Sequence, residues 1–172
     1  MRHSGEPGFI NAEAARRRRA DFEGVNPCAE ILLSDRGLCN LTTVNVAAFV
    51  NGDKTLDREA LLEAQRLSVR AGIRMTCLEL ELHKWDMVQK RDRLLGVSLT
   101  GWQDAMNMLG WSAQMEDELM VLLKETAHRE AESYSAKLGI PKPLLICTVK
   151  PEGTLSLLPG VSSGLHHSHS PY

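Results

Sequence analysis

Apolar positions along this chain change their spacing several times, and each change marks out an element. After Asp57, a residue type that caps helix N-termini, Leu61, Leu62, Ala64, Leu67, Ala71 and Met75 recur at helical spacing and predict a long helix over roughly 58–80. A second long helix is predicted over 113–138, with Met115, Leu119, Leu122, Leu123, Ala127 and Ala131 on one side, Gly139 as its C-cap and Pro141 beyond. Shorter helices are predicted over 12–20, behind Asn11, and from Thr100 or Gly101 to Leu109. Between the helices lie apolar runs. Residues 94–99 predict a short strand, and 144–149 predict the clearest one, a continuous apolar run of the kind buried on both faces. Residues 38–50 are rich in β-branched side chains and predict a strand, or a strand and then a helical turn. Residues 5–11 read as a turn and an extended piece, 21–29 as a loop, 81–93 as a charged stretch with a helical turn around Trp85, and 150–172 as loop. Strands alternating with helices predict an α/β architecture with a largely parallel sheet or barrel.

Composition narrows the function. With 172 residues the chain is long enough for one domain with a core. A net charge of -2 gives no bulk attraction to nucleic acid or to a membrane surface. No apolar run is long enough to span a bilayer, and the N-terminus lacks an apolar signal core, so a cytoplasmic protein with reduced thiols is expected. Arg16 to Arg19 point all round a helix and are read as a solvated helix end, with phosphate binding as the lesser reading. Cys77 and Cys147 are read as small buried hydrophobes.

The chemistry concentrates in Asn26-Pro27-Cys28-Ala29-Glu30, followed by Cys39. A thiol stands two residues from a carboxylate and two from a carboxamide, and Ile31 to Leu38 read as a short strand and a turn that folds Cys39 back toward Cys28. A nucleophile or radical centre, an acid/base and a redox thiol then share one loop. A second constellation follows the 144–149 run: Lys150-Pro151-Glu152-Gly153-Thr154-Leu155-Ser156, a glycine-containing turn with hydroxyls and backbone N–H groups suited to phosphate. Its local signal is weak on its own. His166, His167 and His169 have no acidic or cysteine partner close by, and Cys28 and Cys39 are not a zinc-knuckle pair, so no metal site is expected.

These segments, together with Arg91-Asp92-Arg93-Leu94-Leu95-Gly96-Val97-Ser98-Leu99-Thr100-Gly101, Gly160 to His166 and Gly5 to Asn11, resemble ribonucleotide reductases, with the adenosylcobalamin-dependent (class II) ribonucleoside-triphosphate reductases as the nearest pattern. The motifs span nearly the whole chain in family order. The resemblance implies a ten-stranded α/β barrel, with residues 1–172 as an internal part of the catalytic barrel, a finger loop at about 21–40 and a phosphate loop at about 150–156. It implies that Cys28 is the thiyl radical that takes the ribose 3′ hydrogen and Glu30 the base for the 3′-hydroxyl. Asn26 orients the substrate hydroxyls, and Cys39 belongs to the reducing dithiol. Pro151, Glu152, Gly153, Thr154, Leu155 and Ser156 receive the substrate phosphates. It also implies adenosylcobalamin as cofactor, a ribonucleoside triphosphate or diphosphate as substrate, a thioredoxin-type reductant, and the rest of its own polypeptide as partner.

The second cysteine of the redox pair has no match in this sequence, since Cys77 and Cys147 sit in other elements. An incomplete, inactive fragment of poor solubility is therefore expected, with open sheet edges. The alternatives are a glycyl-radical reductase fragment, a non-catalytic nucleotide-binding module and a structural zinc domain.

Overall fold

The computed structural model describes residues 8–168. The start of the expected turn at 5–11 and the end of the histidine cluster, His169, lie outside the described residues.

Strands β3 (Asn40–Asn45) and β4 (Leu95–Thr100) pair in parallel, in register from Asn40 with Leu95 to Asn45 with Thr100. Side chains alternate along a strand, so the pair has two distinct faces. Val44, Leu95, Val97 and Leu99 face one way, toward helices α2 (Arg58–Met75) and α5 (Ala113–Leu138). There Leu99 and Val44 pack with Leu61, Leu119 and Leu123, while Leu95 and Val97 pack with Val69, Ile73 and Ala127. Leu41, Thr43, Gly96, Ser98 and Thr100 take the opposite face. A one-turn 3₁₀ helix (Val46–Phe49), α2 and α3 (His83–Asp92) make the crossover that a parallel pair requires. Helix α4 (Trp102–Leu109) follows β4 through Gly101, whose φ of +64° and closeness to Asn45 Oδ1, 2.6 Å from where a Cβ would stand, leave room only for glycine.

The start of α2 and both ends of α5 fall where the sequence predicts. Asp57 accepts a hydrogen bond from the Ala60 N–H at 3.0 Å and Ser112 from the Met115 N–H at 3.4 Å. Gly139 closes α5 in the left-handed region, with φ of +67°. Arg70 with Glu130 (2.6 Å) and Arg74 Nε with the Tyr134 hydroxyl (2.6 Å) tie α2 to α5.

Several expectations need correction. Helix α2 stops at Met75, short of 80, where the Thr76 hydroxyl donates to the Ile73 carbonyl at 2.6 Å. Its buried stripe is Leu61, Gln65, Val69, Gly72 and Ile73, so Leu67 and Ala71 face solvent. Two members of that stripe, Gln65 and Gly72, are not apolar side chains, so the apolar spacing finds Leu61, Leu62 and Ala64 at the core but misplaces the face over the second half of the helix. Cys77 follows the helix in a turn and is exposed. Residues 83–92 form a full helix, α3, that buries Asp86, Gln89 and Asp92 and therefore carries no apolar period. The stretch read as loop at 21–29 contains β1 (Gly24–Val25), which pairs antiparallel with β2 (Leu32–Leu33).

The 144–149 run lies extended along the free edge of β4 but forms only one parallel bridge, Val97 with Cys147. The Leu145 carbonyl accepts the Leu95 N–H at 3.0 Å, and the Val97 carbonyl accepts the Thr148 N–H at 3.1 Å. Its other edge carries no strand among the described residues, so Leu144, Cys147 and Val149 are exposed and the run is not buried on both faces. Arg19, the last of the four arginines, is buried rather than solvated; it lies just past α1 (Ala12–Arg18) and turns inward onto Asp92.

Candidate active site

The β1–β2 hairpin presents the first constellation. The Asn26 side chain closes its loop by accepting the Ile31 N–H at 2.9 Å, and the Asn26 carbonyl accepts the Ala29 N–H at 2.9 Å. Asn26 is thus a turn-former as well as a candidate binding group, its carboxamide oxygen being already taken. Pro27 and Cys28 form the turn, and Cys28 is exposed there as a free thiol. Ala29 adopts φ of +63°, a left-handed conformation unfavourable for a residue with a Cβ. Such backbone strain concentrates at functional sites.

Glu30 is where hairpin and sheet meet. Its carbonyl accepts a hydrogen bond from the Thr148 hydroxyl at 2.8 Å. Both of its carboxylate oxygens are buried and have no hydrogen-bond donor among the described residues. Its charge acts on Cys39, whose thiol is pushed up to about 12, first by burial and then by Glu30. Cys39 lies over Gly96: a Cβ at position 96 would stand 3.3 Å from its Sγ. The carboxylate brought to Cys39 is therefore Glu30's, and Cys28 and Cys39 are both free thiols. Cys147 stands in register with Val97, on the helix-facing side of the sheet, away from the face that carries Cys39. Burial pushes its thiol up to about 11 even though its surface is open, because the thiol sits in a concave wall. That wall belongs to a cavity of about 500 Å³ lined mainly by apolar side chains such as Val97, Met120 and Val149, which meets the site at Glu30, Ser98 and Thr148.

The second constellation is fastened to the same sheet face. Ser98 on β4 accepts the Lys150 N–H at 3.0 Å. Thr43 on β3 bonds Glu152, which is buried and left-handed with φ of +59°. Lys150 Nζ lies 3.5 Å from the other Glu152 oxygen, so the local cation is matched by a carboxylate. The Ser156 and Ser163 hydroxyls are 3.1 Å apart, and Thr100 accepts the Gly164 N–H at 3.2 Å. Pro151, Gly153, Thr154 and Leu155 are exposed, while Glu152 and Ser156 are turned inward. Within the loop, then, Glu152 and Ser156 hold it in place, and Gly153, Thr154 and Leu155 present it. The hydroxyls Thr43, Ser98, Thr100 and Thr148 were missed by sequence reasoning; their period-two alternation against Val44, Val97 and Leu99 is the signal that marks them.

Against this geometry, the profile of the ribonucleotide reductase barrel domain matches residues 2–141. The chain belongs to the ribonucleotide reductase barrel family. A protein of Mycobacterium phage D29, provisionally named an adenosylcobalamin-dependent ribonucleoside-triphosphate reductase, is 34% identical over 176 residues, covering 98% of this chain and 25% of its own length. The adenosylcobalamin-dependent ribonucleoside-triphosphate reductase of Lactobacillus acidophilus is 29% identical over 209 residues, covering 99% of this chain and 27% of that enzyme. A crystal structure of a B12-dependent (class II) ribonucleotide reductase superposes with a TM-score of 0.75 at 25% identity, over 88% of this chain and 24% of that one. The chain thus spans about a quarter of the length of these relatives. The α/β reading holds: β3, β4 and their helices are a portion of the ribonucleotide reductase barrel. No helix of the described residues is long and apolar enough to cross a membrane.

Proposed function

We propose that this chain is a catalytic portion of an adenosylcobalamin-dependent ribonucleoside-triphosphate reductase, with residues 21–40 as the finger loop and 150–156 as the phosphate loop. The observation that carries the reading is Glu30: a buried carboxylate with no donor among the described residues, on the same hairpin as an exposed thiol and acting on a half-buried one. A buried acceptor without a partner calls for one from outside the protein, and a ribose hydroxyl meets that need. The relatives named as cobalamin-dependent support this class over the glycyl-radical alternative.

In this reading the Cys28 sulfur takes the 3′ hydrogen atom of the ribose and returns it at the end of the cycle. Glu30 accepts the 3′-hydroxyl proton, a role that requires a carboxylate within hydrogen-bond reach. Replacement of the 2′-hydroxyl by hydrogen, with release of water, requires two electrons and two protons, which a dithiol supplies as it becomes a disulfide. Cys39, protonated at neutral pH because its thiol is pushed up to about 12, is one member of that dithiol. The other member lies outside this sequence's candidates, since Cys147 occupies the opposite sheet face. Asn26 orients the hydroxyls through its carboxamide N–H₂. The exposed backbone of Gly153 to Leu155 receives the phosphates. Adenosylcobalamin, when bound, supplies the radical equivalent, and the exposed Cys28 thiol is the group here open to receive it. A thioredoxin-type reductant and the remaining polypeptide complete the cycle, in the cytoplasm.

The test is reduction of ribonucleoside triphosphates by the protein that carries this chain. Activity should require adenosylcobalamin, vanish in Cys28→Ser, and fall about 10²–10⁴-fold in Glu30→Gln, the range for loss of a general base. Deoxynucleotide formation that persists in Cys28→Ser would refute the assignment.

A further inference from the structure

At the base of the hairpin, on the side away from Cys28, lies a cluster of charges that the proposed chemistry does not use. Arg19 and Asp92 are ion-paired with side chains 2% and 6% exposed, which makes the pair a built interior feature rather than a surface contact. Arg19 also donates Nε to Asp21 at 2.8 Å and Nη1 to the Leu32 carbonyl of β2 at 3.0 Å. Arg91 donates to Asp92 at 2.5 Å, to Ser34 at 3.0 Å and to Asp21 at 3.2 Å. The Asp92 carbonyl accepts the Leu144 N–H at 2.9 Å. Four separate stretches of chain therefore meet at Asp92: the end of α1, β2 with the residue after it, the end of α3, and the start of the segment alongside β4.

We propose that the Arg19–Asp92 pair, braced by Arg91 and Ser34, is the positioning element that sets the hairpin of Cys28 and Glu30 against the sheet. The hairpin has only two residues in each strand, too few to hold its own place. A guanidinium suits this role because it grips a carboxylate, a second carboxylate and a backbone carbonyl at once in fixed geometry. The pair acts through the hairpin and touches none of the proposed reacting groups. The proposal deepens the proposed function, because it matters to catalysis only if the hairpin is catalytic. Its test uses thiol chemistry without nucleotide, so its failure is distinguishable from failure of that reading.

Cys39 reports on the hairpin, since Glu30 and burial together suppress its thiolate. The experiment is alkylation by iodoacetamide in Asp92→Asn, read at each cysteine by mass spectrometry between pH 7.5 and 9.5, with circular dichroism to confirm folding. Asp21 keeps a carboxylate on Arg19, so the arginine is not stranded. Cys39 should react about tenfold faster or more, the gain from a one-unit fall in its pKa, while Cys147 on the other sheet face keeps its rate. A folded Asp92→Asn chain with an unchanged Cys39 rate would overturn the proposal. So would equal acceleration of Cys39 and Cys147, which signals general loosening. If Asp92→Asn does not fold, Ser34→Ala removes one brace without removing a charge. It should speed Cys39 by about two- to threefold, less than one pKa unit's worth, and no change there would overturn the proposal as well.

Discussion

Gly96→Ala is the sharpest test of how the sheet holds Cys39. Position 96 lies inside β4, where alanine is ordinarily the better residue by about 0.5–1 kcal/mol because glycine loses more backbone freedom. Here a methyl group would run into Leu41 Cδ2 and stand 3.2 Å from Thr148 Cγ2 and 3.3 Å from Cys39 Sγ. Carbon atoms are at ease near 3.5–4.0 Å, roughly the separation at which dispersion is best. Leu41 is only half-buried, so its methyl can swing aside. Thr148 is pinned by its 2.8 Å bond to the Glu30 carbonyl and cannot retreat without loosening it. Cys39 must then give way. Overpacking costs about 1–3 kcal/mol; with three neighbouring atoms too close, the upper half of that range applies, and after the backbone gain a net loss of about 1–2 kcal/mol remains. For a chain of this size that is a fall of about 2–8 °C in melting temperature. Calorimetry measures the loss, and iodoacetamide measures Cys39, which should become more reactive while Cys28 at the exposed tip does not change. A Gly96→Ala chain as stable as the parent, with unaltered Cys39, would refute the packing argument.

Two further outcomes are expected. Glu30→Gln should move the alkylation midpoint of Cys39 down from about 12 but leave it above the ordinary value of about 8.5, because burial is the larger cause and the Glu30 charge the smaller; a midpoint that stays put would show that the carboxylate does not act on the thiol. Asp86, held below the usual carboxylate range first by its hydrogen bond from Lys90 (2.6 Å) and then by the Leu80 N–H (3.1 Å), favours the folded state above about pH 4 and loses that contribution as pH falls through its depressed value. The urea midpoint of Asp86→Asn should accordingly lie below that of the parent at pH 7 and converge on it below pH 4, whereas a constant gap would contradict the ionic account.

What the sequence made legible follows from which physical signal each element carries. Helix α5 runs over the predicted residues because Gly139 and an apolar stripe agree. Helix α3 was hidden because its inward positions, Asp86, Gln89 and Asp92, are polar, and burial among partners leaves no trace in hydropathy. The 144–149 run was overstated for the converse reason: apolarity shows that a segment wants neighbours, not that it has them on both edges. The candidate site divides similarly. Cys28, Glu30 and Cys39 stand out by residue type and spacing. Thr43 and Ser98 are ordinary strand residues until the register of β3 and β4 places them on one face, and Thr148 is ordinary until the fold lays it beside Gly96 on that face. Arg19 is the plainest case, because four consecutive arginines look alike in sequence and only the fold selects one for Asp92.

The two faces of the β3–β4 pair argue for where chemistry belongs in this molecule. One face is covered by α2 and α5 and closes with Leu, Val and Ala. If the other face served only to be buried, apolar residues would serve equally well there, and buried hydroxyls would need a reason. The reason is visible at each one. Ser98 fixes Lys150, Thr43 fixes Glu152, Thr100 fixes Gly164 and Thr148 fixes Glu30, so three strand-borne hydroxyls and that of Thr148 alongside them tether three segments that have almost no regular structure of their own. A sheet face that anchors loops, one of them carrying the Cys28 thiol and the Glu30 carboxylate, is the platform that the proposed reaction requires. This distribution of polarity, more than any single motif, explains why the hairpin and the 150–156 loop stand on the same side of the barrel wall.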